Sequence, residues 1–348
     1  MIFATIKDGP NRDGSLLVVS RDRARCLDMS VNAAFSHMSL RQACEGWSRI
    51  SVLLSRYAAG LEKEGVAGGI ALPKPIVLTA PLPRAFQFLD GSAYLRHMEL
   101  VRQARGAPMP ESFKTDPLMY QGLSDRFFGP REDFPIADEA WGIDCEGELA
   151  VVVTDVPMGV TADEVEKGGS IILVMLLNDW SLRNLIPPEL AKNFGFVHGK
   201  PPSSFAPFAV TPDELGTAWD GRRVHLTMKV WVNGKQIGAL ETGDDMDFGF
   251  SELVAHAAKT RRLPAGTIIG SGTISNRSER GVACLAELRM KEVIADKESG
   301  GKGTPTTPFL SFGDIVRMEA FDRNGVSVFG AIEQKVVPYQ KPPPGEYR

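Results

Sequence analysis

The stretch Trp141-Gly-Ile-Asp-Cys-Glu146-Gly-Glu148-Leu-Ala-Val-Val-Val153, followed after a polar connection by Ile171-Ile-Leu-Val-Met-Leu-Leu177-Asn-Asp179-Trp-Ser-Leu-Arg183, decides the fold. Both apolar runs are too short for ordinary helices and rich in branched side chains, the pattern of buried strands. Glu146 and Glu148 lie two apart at the head of the first strand, so both side chains leave the same face. Gly147 leaves the opposite face bare, open to close approach by another backbone. Asp179 follows directly on the second run. Three carboxylates meeting at the ends of buried strands repel one another, at a cost on the order of several kcal/mol, unless a cation sits among them. A hard divalent cation with oxygen ligands answers that need.

Length and composition bound the alternatives. A chain of 348 residues can hold two domains, or one large β-rich domain behind an N-terminal extension. Hydrophobic residues at 43% and charged residues at 24% suit a globular protein with a sizeable core. The net charge of −4 argues against a nucleic-acid or anionic-membrane surface, so neither is expected as a partner. The opening ten residues lack a charged segment followed by an apolar one, so no signal peptide is expected. The longest apolar run, Ile171 to Leu177, falls far short of the ~20 residues of a membrane span. Cys26, Cys44, Cys145 and Cys284 are widely spaced with no CxxC pair. That points to a reducing cytoplasm and away from a disulfide framework or a thiolate zinc site.

Working outward, residues 1–30 read as a small β meander, with Ile2–Ile6 and Leu16–Ser20 flanking turns at Asp8-Gly9 and Asp13-Gly14. Ser39-x-x-Gln42 is a capping box that opens one helix. Its stripe runs through Leu40, Ala43, Cys44, Trp47, Ile50, Leu53, Leu54, Tyr57, Ala58 and Leu61 to a stop at Gly65. Gly65, Gly68, Gly69 and Pro73-Lys-Pro75 mark a linker, dividing the chain into a small α+β domain (1–72), a larger domain (73–338) and a loose Pro-rich tail (339–348). Asp90 or Ser92 is placed to cap a helix ending near Arg105. Residues 106–140 read as a long ordered loop over the site. A second capping box, Thr161-x-x-Glu164, opens the helix between the two central strands. Val224–Val232 turns back at Asn233-Gly234 as a type I′ hairpin. Residues 247–262 read as helix, Thr267–Thr273 as strand, Val282–Met290 as a strand containing Glu287, and the last hairpin turns at Asn324-Gly325. The fold class is therefore mixed α+β and β-rich, without βαβ alternation.

Taken singly, these motifs are ordinary. An E-x-E in a strand is most often a solvated face, and an Asp at a strand end most often a cap. Glu287, among apolar neighbours, needs a partner, and His97 is the natural one, since a His–Glu pair makes an oriented base. No G-x-S-x-G, G-x-G-x-x-G or H-E-x-x-H occurs, and Gly301-Lys-Gly-Thr304 lacks phosphate-loop spacing.

Together, the positions resemble the fumarylacetoacetate hydrolase family. Asp90 precedes His97 by seven residues; Glu146-Gly-Glu148 matches the family's E-x-E; Asn178-Asp-Trp-Ser-Leu-Arg183 matches its N-D-W-S-x-R. Gly199-Lys200, Ser271-Gly-Thr-Ile-Ser275 and Glu287, fourteen residues past Thr273, follow in the family's order. Tyr120 matches a Tyr-x-Gly, and Arg105 an Arg-Gly shifted by one residue.

The resemblance implies a β-roll catalytic domain behind a smaller N-terminal domain, usually as a homodimer. It implies Mg2+ or Ca2+ on Asp90, Glu146, Glu148 and Asp179, and His97 as a base oriented by Glu287. Lys200 and Arg183 would stabilise developing negative charge, while Tyr120, Arg105, Thr273 and Ser92 would face the substrate. The implied reaction is hydrolysis of a C–C bond in a β-diketone or 2,4-dioxo acid such as fumarylacetoacetate or an acylpyruvate, the carbanion leaving as an enolate held at the metal. Decarboxylation, isomerisation or hydration of 2-oxo-ene-dioates is the alternative, and a non-catalytic binding protein a third reading. Where family members that cleave fumarylacetoacetate carry Gln, Tyr and Tyr, this chain has Ile186, Leu190 and Ser92. A substrate other than fumarylacetoacetate is expected on that ground.

Overall fold

The computed structural model describes residues 1–9, 11–31, 38–63, 69–74 and 77–343. The helix stop at Gly65, the linker residues Gly68 and Pro75, and the end of the tail lie outside these residues.

The chain opens on an antiparallel meander, β1 (Ile2–Asp8), β2 (Asn11–Val19) and β3 (Arg25–Asp28). The capping box at Ser39 starts α1 (Leu40–Glu45), as expected, but the single predicted helix is two. Gly46 interrupts it, and α2 (Trp47–Leu61) resumes beyond. Glycine has the poorest helix propensity after proline, and here a Cβ would meet Ile50 Cδ1 at 2.5 Å. Leu53, counted in the apolar stripe, is 42% exposed. The short β4 (Ile70–Ala71) pairs with β3.

The larger part continues with β5 (Phe88–Gly91), α3 (Leu95–Arg105), β6 (Met119–Gly122), β7 (Phe134–Ile136), β8 (Ile143–Asp144), β9 (Gly147–Val153) and α4 (Ala162–Gly168). Next come β10 (Ile171–Asn178), β11 (Ser181–Leu182), α5 (Ile186–Leu190), β12 (Ser204–Phe205), β13 (Ala209–Val210), β14 (Thr227–Val232), β15 (Lys235–Glu241) and α6 (Phe250–Ala257). Last are β16 (Ile268–Gly270), α7 (Leu285–Glu298), β17 (Ile315–Phe321) and β18 (Ile332–Pro338). No helix among the described residues is long and apolar enough to cross a membrane.

The result is a sheet-rich α+β fold, with no closed barrel among the described residues. The main sheet runs in the order β4-β3-β2-β1-β13-β10-β9-β16-β5-β6. Its N-terminal strands join the central ones directly, through Ile2 opposite Val210. Every residue of β9 and β10 is buried, which explains their unbroken apolar runs. Alternate side chains serve two cores. Leu149, Val151, Val174 and Leu176 face a second, five-stranded sheet (β15-β14-β17-β18-β7), while Ala150, Val152, Leu173 and Met175 share a core with residues of α1 and α2. Trp180 anchors the junction, stacked on Phe134 at 4.2 Å with its indole N–H donating to Ser204 Oγ at 2.9 Å.

Four local expectations are corrected. The bare face at Gly147 admits side chains rather than backbone: a Cβ there would meet Met228 Cε at 2.6 Å. Neither Asp90 nor Ser92 caps α3. Asp90 is held in β5, and the Leu95 N–H donates instead to Asp247 Oδ2 at 2.8 Å. The loop over 106–140 contains β6 and β7. Glu287 lies in the first turn of α7, not in a strand. The helix forms because two side chains satisfy its first amides. Cys284 Sγ accepts from Glu287 N at 3.4 Å, and the Asp144 carboxylate accepts from Leu285 N and Ala286 N at 2.8 and 2.9 Å.

Leu176, fully buried between the two sheets, tests this layering. Leu176→Ala should lower the unfolding free energy by about 2–5 kcal/mol in a urea titration, with unchanged slope.

Candidate active site

The carboxylates converge where the central strands end. Asp90 enters through β5, which pairs in parallel with β16 so that Gly270 lies opposite it. Gly270 makes room for the carboxylate: a Cβ there would sit 2.2 Å from Asp90 Oδ1, which accepts the Gly272 N–H at 3.1 Å. Gly272, at φ +75, turns the chain tightly against Gly91 and Ser92, which shortens the strand expected over Thr267–Thr273. Glu148 is the second residue of β9, and Asp179 follows β10. Carboxylate oxygens of Asp90, Glu148 and Asp179 all lie within 4.8 Å of one another, and all three residues are buried.

Glu146 sits beside this trio but faces cations. Its carboxylate bonds Lys200 Nζ at 2.7 Å and pairs with Arg183, whose Nε donates to Asp144 Oδ2 at 2.9 Å. Asp179 is the most contacted of the four. It accepts Lys200 Nζ at 2.5 Å, Ser203 Oγ at 2.6 Å and the Tyr120 hydroxyl at 2.7 Å.

The electrostatics divide accordingly. Burial, then the charge of Asp179, pushes the Asp90 carboxyl up to about 8. Burial, then Asp90 and Asp179, drives Glu148 well above the usual carboxylate range. Burial also opposes ionisation of Glu146, yet Arg183 and Lys200 hold it well below that range. Lys200 stays charged despite its burial because Asp179 and Glu146 flank it. Glu148 is the group least met: neither of its buried carboxylate oxygens accepts from an N–H or hydroxyl among the described residues, and its side-chain partner is the Asp90 carboxyl. An oxygen-only donor set with such a carboxylate fits a hard divalent cation.

A second cluster abuts the first. His97, near the start of α3, places Nδ1 2.7 Å from Glu287 Oε1. Glu287 is buried, while the His97 side chain keeps 13% exposure. With the Nδ1 proton directed at Glu287, Nε2 is the free acceptor. The positive charge of a protonated His97 reaches Glu146, so the two clusters are neighbours.

The substrate-facing candidates are less uniformly gathered. Tyr120 is in β6 opposite Asp90, its hydroxyl on Asp179. Ser92 is half-buried and Thr273 is buried, both at the tight turn made by Gly272. Arg105 ends α3, exposed and without an ion-pair or hydrogen-bond partner among the described residues, and no contact ties it to the carboxylates. Sequence reasoning passed over Ser203 and Asp144. Asp144 is fully buried, holding Arg183 with one oxygen while both oxygens hold the first amides of α7. Its position two residues before Glu146, on the same face of the same segment, was the available signal.

The family model described as fumarylacetoacetate (FAA) hydrolase C-terminal matches residues 87–337, and the one described as fumarylacetoacetase N-terminal domain 2 matches residues 1–84. Fumarylacetoacetase of Arabidopsis thaliana is 25% identical over 254 residues, covering 63% of this chain; the chain thus spans about half, 55%, of that curated relative. Among solved structures, a candidate HpcE protein from Mycobacterium smegmatis superposes with a TM-score of 0.67 at 20% identity, covering 98% of this chain and all of the other. Maleylpyruvate hydrolase from Sphingobium sp. SYK-6, in complex with manganese(II) ion and pyruvate, gives 0.60 at 16% identity, with 98% and 100% covered. 5-Carboxymethyl-2-hydroxymuconate delta-isomerase from Mycobacterium smegmatis gives 0.55 at 16%, with 97% and 100% covered. At these identities the structures establish a shared fold.

Two substitutions probe the geometry. Gly270→Ala should push the Asp90 carboxylate aside and weaken divalent-cation binding at least about tenfold by calorimetry. Asp144→Asn removes the charge shared by Arg183 and α7. It should lower the thermal midpoint by several degrees, corresponding to roughly 1–3 kcal/mol.

Proposed function

The chain belongs to the fumarylacetoacetate hydrolase family, and on that premise we propose that it is a divalent-cation-dependent hydrolase cleaving a C–C bond in a β-diketone or 2,4-dioxo acid of the fumarylacetoacetate or acylpyruvate type. One observation carries the reading: an oriented His–Glu pair stands beside three buried carboxylates, one of them accepting from no N–H or hydroxyl among the described residues. Asp90, Glu148 and Asp179 would hold the ion, with Glu146 the fourth candidate ligand. We propose Mg2+ or Ca2+ as the hard cation suited to those oxygens. When bound, it would supply a Lewis acid that polarises a substrate carbonyl.

The residues of the chain do the rest. Glu287 keeps the His97 ring in the tautomer whose Nε2 can take a proton from water, and that water attacks the carbonyl distal to the carboxyl. As the C–C bond breaks, the electron pair moves onto the departing 2-oxo acid fragment as its enolate, and the proton that His97 took from water returns to it, so a carboxylic acid and a methyl ketone leave. Lys200 and Arg183 place positive charge where that negative charge grows. Tyr120, Thr273, Ser92 and Arg105 would orient the substrate's oxygens and carboxylate. Ile186 and Leu190 offer apolar surface, which favours a substrate other than fumarylacetoacetate itself. A homodimer and a cytoplasmic location complete the proposal, the latter suited to four free, buried cysteines.

A second reading, isomerisation or decarboxylation of a 2-oxo-ene-dioate, is favoured by the isomerase among the structures sharing this fold. The same base could move a proton between carbons in place of activating water.

His97→Ala should reduce turnover of a 2,4-dioxo acid by about 10²–10⁴-fold while divalent-cation binding persists. Turnover is followed by loss of the conjugated-enol absorbance. Two carbon fragments per substrate support hydrolysis; an intact skeleton or released CO₂ favours the second reading, and an unaffected His97→Ala rate removes the assigned base.

A further inference from the structure

Beside the oxygen-only site lies a second donor set of different chemistry. A ring nitrogen of His97, Cys284 Sγ and a Glu287 carboxylate oxygen all lie within 4.8 Å of one another, and His97 Nδ1 is the nitrogen 2.7 Å from Glu287 Oε1. They come from two elements: His97 from α3, and Cys284 and Glu287 from the N-cap and first turn of α7. Cys284 and Glu287 are buried, and the partial exposure of His97 leaves a way in. We propose that His97, Cys284 and Glu287 form a binding site for a thiophilic divalent ion, Zn2+ first, whose occupancy shuts off the hydrolytic base.

The donor set selects the metal. One sulfur, one imidazole nitrogen and one carboxylate oxygen make a mixed site of intermediate softness, the kind zinc takes with three protein ligands and an open fourth position. Magnesium and calcium prefer the all-oxygen cluster next door. The absence of a CxxC pair argues against a thiolate zinc site, but a single sulfur delivered by folding beside a His–Glu pair gives no spacing signature. Charge balances on binding. Cys284 gives up its thiol proton to solvent, so one thiolate and one carboxylate offset the double charge while the imidazole remains neutral. The Nδ1 lone pair goes to the metal, and the ring proton moves to Nε2. That proton occupies the nitrogen that would otherwise accept one from water.

The loss of hydrolysis rests on the proposed function; the site itself does not, so the test reads both. With the magnesium-loaded full-length protein, added Zn2+ should inhibit turnover at one ion per chain. Cys284→Ser should raise the half-inhibitory concentration at least about tenfold relative to its own uninhibited rate. Serine is a strong N-cap, so the start of α7 is retained. Independently of activity, Co2+ added to the magnesium-loaded protein should produce a sulfur-to-cobalt charge-transfer band in the near ultraviolet. The band should vanish in Cys284→Ser and survive in Cys44→Ser, which alters a buried thiol of α1. Absence of the band in the wild type, or its persistence in Cys284→Ser, overturns the site. A Cys284-dependent band with equal zinc sensitivity in wild type and Cys284→Ser keeps the site and overturns the shut-off.

Discussion

The mutual repulsion of Asp90, Glu148 and Asp179 is the constraint around which the site is built. Like charges about 4 Å apart repel by about 4 kcal/mol at an effective dielectric near 20, and with all three groups buried that repulsion shows as the raised affinity of Asp90 and Glu148 for protons. The fold brings them together because each is fixed by an element it cannot leave: Asp90 by its pairing opposite Gly270, Glu148 by β9, and Asp179 by the end of β10. Lys200 relieves Asp179 and Glu146 but donates no hydrogen bond to Glu148. The chain is thus folded around an electrostatic debt that an oxygen-seeking cation would discharge.

The same logic organises the other half of the site. Arg183 spans Glu146 and Asp144, and Asp144 in turn holds the first amides of α7. Glu287 is placed by that helix and His97 by Glu287. A continuous run of buried ionic and hydrogen-bonded contacts therefore links the carboxylates to the base. Such networks lose much when one member goes, because the others are left charged and unpaired.

Much of this was legible in the sequence. The capping boxes at Ser39 and Thr161, the two buried strands and the Asn233-Gly234 turn follow from local rules, and all appear. The pairing of His97 with Glu287 followed from the need of a buried carboxylate for a partner. What failed had distant causes. Glu287 looked like a strand residue because its apolar neighbours carry no helical stripe, and the helix owes its start to Asp144, well over a hundred residues earlier. Glu146 precedes β9 and Glu148 lies within it, and the two meet different partners, because Lys200 and Arg183 form ion pairs only with the first. That division depends on where loops return, and no periodicity encodes it. Arg105 was placed by its resemblance to a motif alone, and it ends α3 on an exposed position.

The N-terminal meander and the central strands form one hydrogen-bonded sheet, joined where β1 lies along β13. A linker in the amino-acid string is therefore bridged by backbone pairing in space. Cutting the gene at residue 72 to obtain a minimal enzyme would uncover the free rim of β13, together with the apolar face of the sheet beneath α1 and α2. Such a fragment is set to stick to its own copies, since a bare strand rim is a template for association. Recombination with related proteins would have to respect the same seam, exchanging the meander and the strand it lies against as one unit.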